Sequence, residues 1–505
     1  MFVGQNSLAK TRVGSGANIK SRCLPKLSST RAIHKSQTNI GTTISTLPTL
    51  ARKYFGTNGI RGIPGKDLTL EFLSEISQSI GTYMGNSRPI LVGHDVRNSS
   101  PALSKTVLSG LLSAGCDSNS GGLAPTPAHQ YAVRTLGYDG GVIVTASHNP
   151  AQYNGVKLVG PDGVEVERQS EVIVEEIYSD KKYSRADWQT VGKLGKETRI
   201  VENYISGIMS RVEVPRISER RFTIVLDIGN GAQAVSAPYL CERLGCKVIT
   251  INGQADGNFP GRGPEPVPAL LKDLSNAVSS YRAHLGVAYD GDGDRSLFCD
   301  ENGTIYWGDR TGSMLIDHLL SKHPGASVAT TVSTSSLVGV VASGHGSNVI
   351  WTTVGSVDVS RAMINNSAPL GLEENGGFFY GPHIPVRDGA MTTALVLEAL
   401  AFKGESFSKA ISKLKTFYQK KSKFDCPNEK KKPVMSILEQ ESSKEGKIDR
   451  TDGLKIWIDN QTWILLRPSG TEPLIRVYAE SDSEDKLEST YVKYETIVEE
   501  AIKSS

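Results

Sequence analysis

The sequence predicts an α/β protein of several domains, and three observations carry that reading. The chain of 505 residues exceeds the size at which one hydrophobic core stops growing, which suggests three or four domains. A strand, a glycine-bearing turn and an amphipathic helix recur through three successive blocks. A last, shorter block holds two apolar strands around a polar loop. A hydrophobic content of 38% with 22% charged residues is that of an ordinary globular protein. No apolar run approaches the roughly 18 residues that a membrane span needs. Cysteines 23, 116, 241, 246, 299 and 426 are scattered, so neither a disulfide framework nor a zinc site is indicated, and a reducing compartment is expected.

The first element in order is a leader, residues 1–51. From Met1 to Lys53 there are nine Lys or Arg and no Asp or Glu; without those nine, the formal net charge of +3 becomes −6. Basic, hydroxyl-rich and acid-free composition without an apolar core marks an organelle transit peptide rather than a folded element. Chloroplast is the first expectation because Ser and Thr outnumber Arg, with mitochondrion the alternative. A mildly acidic body without a basic stripe argues against nucleic-acid binding.

The first block, residues 52–197, opens at Lys53-Tyr-Phe-Gly-Thr-Asn-Gly-Ile-Arg-Gly62 and continues through Arg88-Pro-Ile-Leu-Val-Gly-His-Asp-Val-Arg97. Its centre is Gly141-Val-Ile-Val-Thr-Ala-Ser147-His-Asn-Pro150, a buried strand running into a turn that Pro150 closes. That geometry lifts the Ser147 hydroxyl to the carboxyl end of a strand, where open α/β sheets place ligands. Alone it is ambiguous, since a serine before a turn is commonly a cap. The second block, 198–303, contains Asp227-Ile-Gly-Asn-Gly-Ala, read as a strand-to-helix turn, and Tyr289-Asp290-Gly-Asp292-Gly-Asp294-Arg295. Three alternating aspartates bring hard oxygen ligands around one small cation. Without the distal bidentate Glu of a calcium hand, the loop suits Mg²⁺ shared with a phosphate oxygen. The third block, 304–424, holds Leu372-Glu373-Glu374-Asn375-Gly-Gly377, which could bind sugar hydroxyls or be a charged surface loop. The lysines of Lys420–Lys432, interrupted by Pro427, read as a linker. The last block, 425–505, carries Arg467-Pro-Ser469-Gly470-Thr471-Glu-Pro with Arg476 beyond. Backbone N–H groups, two hydroxyls and guanidinium forks suit an anion such as phosphate.

These four loops, one per block and in that order, resemble the α-D-phosphohexomutase family of phosphoglucomutases, phosphomannomutases and phosphoglucosamine mutases. Thr145-Ala-Ser-His-Asn-Pro, Asp290-Gly-Asp-Gly-Asp-Arg and Arg467-Pro-Ser-Gly-Thr-Glu-Pro carry the resemblance, which runs from Lys53 to the C-terminus. It implies three similar α/β domains with mixed sheets plus a smaller C-terminal α+β domain around a central cleft. It also implies an isomerase, a monomer or homodimer with no membrane partner, that interconverts hexose 1-phosphate and hexose 6-phosphate. Glucose and mannose phosphates are the first expectation and glucosamine phosphate the alternative; a weakly active, regulatory sugar-phosphate binder is the reading from another class. Ser147 would be the phosphoserine, with a hexose 1,6-bisphosphate as activator and intermediate. Asp290, Asp292, Asp294 and an oxygen on Ser147 would hold Mg²⁺. Arg61 and Arg295 would balance the phosphoryl charge. Lys157 and His148 would be acid/base candidates, the lysine with a lowered pKa. Glu373 and Asn375 would bind sugar hydroxyls, and Arg467, Ser469, Gly470, Thr471 and Arg476 the phosphate not being transferred. Two departures stand out. The sugar loop lacks the usual serine and ends Gly376-Gly377, and Thr353-Val-Gly-Ser-Val-Asp358 lacks the basic residue many relatives carry after Val-Gly.

Overall fold

A computed structural model describes residues 53–505 apart from positions 57, 444 and 471. The leader expected at 1–51 and the candidate phosphate ligand Thr471 lie outside the described residues.

One topology is built three times. In the first sheet Ser118–Leu123, Ile90–His94 and Gly140–Val144 run parallel, and Asn154–Val159 then reverses beside the last of them. The second sheet repeats this with Lys247–Ile251, Thr223–Asp227 and Leu285–Tyr289, followed by antiparallel Ser296–Asp300 and Ile305–Tyr306. The third uses Val349–Thr352, Val328–Thr331 and Leu370–Leu372, then Phe378–Tyr380 and Ile384–Arg387. The short strands Ile60–Gly62 and Leu194–Lys196 edge the first sheet. Apolar, β-branched residues such as Val142, Ile143 and Val144 are buried because helices cover both faces of such parallel strands. Crossover helices obey local rules. Thr126–Leu136 has Pro127 in its first turn and stops at Gly137, whose φ of 79° closes it in the left-handed conformation.

The fourth sheet is antiparallel throughout, in the order Tyr418–Asp425, Leu474–Ser481, Trp463–Pro468, Leu454–Trp457, Lys447–Asp449, and is packed with helices Asn428–Ser442 and Glu484–Ser504. The Lys420–Lys432 stretch is therefore not a linker. Its first half is an edge strand paired with Leu474–Ser481 along its length, and its second half starts a helix just after Pro427. Lysines on an edge strand remain solvated and discourage further pairing, so the charge density that reads as a linker is a strand property. That strand, and with it the fourth sheet, begins before residue 425.

The three repeated units share one cluster, to which Leu91, Ile143, Phe222, Leu285, Leu372 and Leu395 belong, and the first unit has a second cluster of its own around Leu73, Val92 and Val144. The fourth unit has its own, around Ile464, Val477, Tyr494 and Val498. A small cluster of Val332, Trp463 and Leu465 joins it to the third. Among the described residues no helix is long and apolar enough to cross a membrane.

Candidate active site

The repeated topology explains why the chemistry sits where it does. In each of the first three sheets the chain turns from the third parallel strand into its antiparallel neighbour. Those three turns are residues 145–153, 290–295 and 373–377. Each lies at the carboxyl end of a parallel strand, the ligand end of an α/β sheet. The fourth loop, 469–473, joins the two central strands of the last sheet.

Ser147 is buried and has φ of +50°, a conformation a non-glycine residue holds only when its surroundings impose it. The imposing group is Arg97, which the sequence reading did not single out. Its fully buried guanidinium donates to the carbonyls of Ser147 (2.8 Å), Asn149 (2.6 Å), Pro150 (2.7 Å) and Tyr153 (2.9 Å), and its Nε to Asp95 (3.0 Å). Asp95 in turn accepts from Thr145 Oγ1 (2.7 Å), which accepts from the Ser147 N–H (2.9 Å). Four of the five donors of one side chain are thus spent on the shape of one loop, and the fifth on Asp95.

The Ser147 Oγ donates to Asp290 Oδ2 at 3.0 Å and stands 3.3 Å from His148 Nδ1. The close approach needs Gly291, where a Cβ would lie 2.7 Å from the Ser147 carbonyl oxygen. Asp290, Asp292 and Asp294 are buried and offer oxygens within 4.8 Å of one another. Thr126 orients Asp292 twice, with its N–H to the backbone carbonyl (2.9 Å) and its Oγ1 to Oδ2 (2.7 Å). Asp292 Oδ1 and Asp294 Oδ1 are buried without a hydrogen-bond partner, which fits a donor set shaped for a hard cation such as Mg²⁺.

Cations crowd these carboxylates. Lys157 Nζ lies 2.9 Å from Asp292 and 3.3 Å from Asp294, and Arg295 Nε lies 3.2 Å from Asp290. Burial works against a charged Lys157, but Asp292 and Asp294 outweigh it and raise its pKa. The lowered value expected for this lysine is not found; the carboxylates hold it protonated. His148 goes the other way. Burial, reinforced by Arg295 and Arg61, takes it well below 6.5, so the ring is neutral. Burial also lowers Arg61 to about 10, still charged at neutral pH. Arg61 Nη1 bonds Asn149 Oδ1, while Arg61 Nε and Arg295 Nη2 are buried with no partner. Buried unpaired guanidinium donors beside a serine hydroxyl suit an anion carried on that serine.

In the third turn Glu373 is buried, and burial raises its pKa while Arg387 opposes the rise. Asn375 Oδ1 accepts from the Gly377 N–H at 3.2 Å and so shapes its own loop. Glu374 reaches the fourth unit through Lys421 (2.7 Å). Arg387, also absent from the sequence reading, touches two loops at once and is taken up below.

The fourth loop is built differently. Ser469 is buried and Gly470 exposed. Lys431 Nζ donates to the carbonyls of Ser469 and Glu472, both at 2.5 Å. Arg467 pairs with Asp452 (2.7 Å) and Arg476 with Glu472 (2.6 Å). Asp452 also accepts from the Val354 N–H (2.9 Å), and next to Val354, Ser356 Oγ accepts from Asn58 (3.2 Å) in the Arg61 loop. A chain of contacts therefore runs from Arg467 to the edge of the Ser147 cluster without direct contact between Arg467 and Ser147.

Comparison with known proteins covers almost all of the described chain. The models for phosphoglucomutase/phosphomannomutase α/β/α domains I, II and III match residues 52–185, 202–303 and 307–417, and that for the C-terminal domain matches 423–493. A phosphoglucomutase/phosphomannomutase of Thermococcus kodakarensis is 42% identical over 455 residues, 89% of this chain and 99% of that one. A phosphoglucosamine/phosphogalactosamine mutase of Sulfurisphaera tokodaii is 43% identical over 457 residues, 88% of this chain and 99% of its own. Among solved structures, a phosphoglucomutase/phosphomannomutase family protein of Burkholderia thailandensis superposes with a TM-score of 0.80 at 25% identity, covering 89% of this chain and 98% of its own.

Proposed function

The chain belongs to the phosphoglucomutase/phosphomannomutase family, and on that premise we propose that it interconverts hexose 1-phosphate and hexose 6-phosphate through a phosphoserine at Ser147 and a hexose 1,6-bisphosphate. It is an enzyme, a Mg²⁺-dependent phosphohexomutase. The observation that carries the assignment to Ser147 is its hydroxyl 3.0 Å from Asp290, inside a cluster of three carboxylates and buried cations.

Phosphoryl transfer needs positioning and charge balance more than covalent assistance. Arg97 fixes the serine loop, so the oxygen that carries the phosphoryl group has one place to be. Arg61 and Arg295 turn their unpaired N–H groups to phosphoryl oxygens. Asp290, Asp292, Asp294 and an oxygen on Ser147 would hold Mg²⁺, which would supply charge neutralisation to the phosphoryl group. In the first half-reaction the bond between phosphorus and Ser147 Oγ breaks and a bond to a sugar hydroxyl oxygen forms. The proton of that hydroxyl passes to a base, for which neutral His148 is the candidate, while the departing Ser147 Oγ takes a proton from charged Lys157. In the return step the bisphosphate gives its other phosphoryl group to Ser147 Oγ, whose proton returns to Lys157, and the leaving sugar oxygen takes its proton back from His148. Between the steps the sugar turns over. Glu373 and Asn375 bind its hydroxyls in either orientation, while Arg467, Ser469, Gly470, Thr471 and Arg476 grip the phosphate not in flight.

Glucose and mannose phosphates are the proposed substrates. Amino sugars are a second reading, favoured by the 43% identity to the Sulfurisphaera phosphoglucosamine/phosphogalactosamine mutase. The test is incubation of the purified protein with Mg²⁺, catalytic glucose 1,6-bisphosphate and each hexose 1-phosphate in turn. Formation of the 6-phosphates of glucose and mannose supports the first reading, and of glucosamine alone the second. Conversion of none refutes both. For the leader we propose plastid import, tested by fusing residues 1–53 to a fluorescent reporter; a cytosolic signal would refute it.

A further inference from the structure

Arg387 ends the strand Ile384–Arg387 and lies opposite Phe379 in the third sheet. Its side chain is buried. One arm of the fork, Nη2, donates to Asp294 Oδ2 at 2.6 Å, and the other, Nη1, to Glu373 Oε2 at 3.1 Å. Those carboxylates belong to turns of different sheets, the cation loop and the sugar loop. The stem reaches them by crossing Gly377. A Cβ at Gly377 would lie 2.5 Å from Arg387 Cδ, 2.9 Å from its Cγ and 3.2 Å from Glu373 Oε2. Position 377 is a glycine because of this contact, since its backbone is not in the left-handed region.

Resting on the phosphohexomutase reading, we infer that Arg387 is a positioning residue that couples the cation loop to the sugar loop, and that Gly377 is the opening through which it does so. The two departures of the third block then have one explanation. The residues directly after Val354-Gly355, Ser356 to Ser360, bring no cation, and the Gly376-Gly377 ending lets the third block bring one to the cation and sugar loops from its last strand instead. The geometry assigns each carboxylate a role. Asp294 is held by one oxygen on Arg387 and Lys157, and its other oxygen, Oδ1, is buried without a hydrogen-bond partner, 3.9 Å from Arg295 Nε. Glu373 is held on the same guanidinium, so it is oriented before a sugar arrives. A rigid planar fork with two arms can serve two loops at once. A lysine, a single point donor on a flexible stem, cannot. Removing a group that orients a metal ligand typically weakens metal binding by about 10–100-fold.

The test uses three full-length variants: Arg387→Lys, Gly377→Ala and the double. Binding of Mn²⁺ alone, as probe of the cation loop, and of glucose 1-phosphate in EDTA, as probe of the sugar loop, is measured by calorimetry. Thermal midpoints report folding separately. We expect Arg387→Lys to weaken both ligands, each by about 10-fold. Gly377→Ala, which leaves every donor in place, should reproduce both losses, and the double variant should be no worse than Arg387→Lys alone. Losses that add in the double variant, or a Gly377→Ala protein that binds both ligands as the parent does, would overturn the inference. A parent protein that isomerises no hexose phosphate refutes the phosphohexomutase reading instead. An active parent with binding unmoved in the variants refutes only the role of Arg387.

Discussion

The body formed by the first three units and the fourth unit present two serine-bearing loops in opposite states. Ser147 is fixed in its loop by buried Arg97, and its hydroxyl already touches the cation loop of the second unit. The Ser469 loop belongs to a unit with its own core. Its arginines are paired locally, Arg467 with Asp452 and Arg476 with Glu472, and it meets the body through the apolar patch around Trp463 and a set of polar contacts such as Lys421–Glu374 and Gln419–Asp309. Bond breaking demands a geometry fixed to fractions of an ångström, and a cluster shared by the three units supplies that. The phosphate grip proposed for the fourth unit would need a partner able to move, and a unit with a separate core, joined largely by polar contacts, suits that.

Substitutions can break this contrast, and the largest effect belongs to the body. Ser147→Ala should lower turnover by at least about 10⁴-fold without moving the melting midpoint, because it removes the group that accepts the phosphoryl and little else. Full activity in that variant would end the phosphoserine account. Arg97→Met should be felt as stability. It strips five hydrogen bonds and leaves the buried Asp95 without its counter-ion, so denaturant unfolding of the body should lose about 3–5 kcal/mol. Arg467→Ala is the counterpart in the fourth unit. In the structure Arg467 pairs with half-buried Asp452, and in the proposed function it grips the substrate phosphate, so KM should rise by about 10–100-fold with little change in thermal stability.

The smallest effect sharpens the contrast at the joint itself. Lys455 is buried among Trp351, Trp457 and Trp463, with its Nζ 2.8 Å from the Val332 carbonyl. Burial lowers its pKa from 10.5 to about 8. A lysine depressed in the folded state gives up its proton there before it does so unfolded. The unfolded chain therefore binds more protons between about pH 8 and 10.5, and stability of the joint rises with pH across that window. Below pH 8 the lysine is charged in both states and the full cost of burying the charge remains. Hydrogen exchange along the strand Leu454–Trp457 should slow over that range in the parent and lose its pH dependence, beyond the intrinsic one, in Lys455→Met.

Much of this was legible in the sequence because the reacting groups sit in short contiguous turns. Ser147-His-Asn-Pro150 and Asp290 to Arg295 can be read locally, since alternating aspartates and a proline-closed turn carry their geometry with them. The threefold recurrence of strand, turn and helix likewise anticipated the three mixed sheets. What could not be read were partners brought from afar. Arg97 is 50 residues from Ser147 and Arg387 is 93 from Asp294, and neither local segment says which loop its guanidinium serves. A signal existed for each: a cation just after the apolar strand Ile90–His94, and one ending Ile384–Arg387 before the helix-capping Asp388. The lysines of Tyr418–Asp425 misled for the opposite reason, because a solvated edge strand and a linker share a composition.

The most direct measurement is transfer of label. The protein is incubated with phosphoryl-labelled glucose 1,6-bisphosphate and Mg²⁺, digested, and its phosphopeptides are sequenced by mass spectrometry. Label should appear on Ser147 alone, leave it when unlabelled glucose 1-phosphate is added, and be absent when EDTA replaces Mg²⁺. Isomerisation that proceeds with Ser147 unlabelled, or with the label on Ser469, would contradict the account.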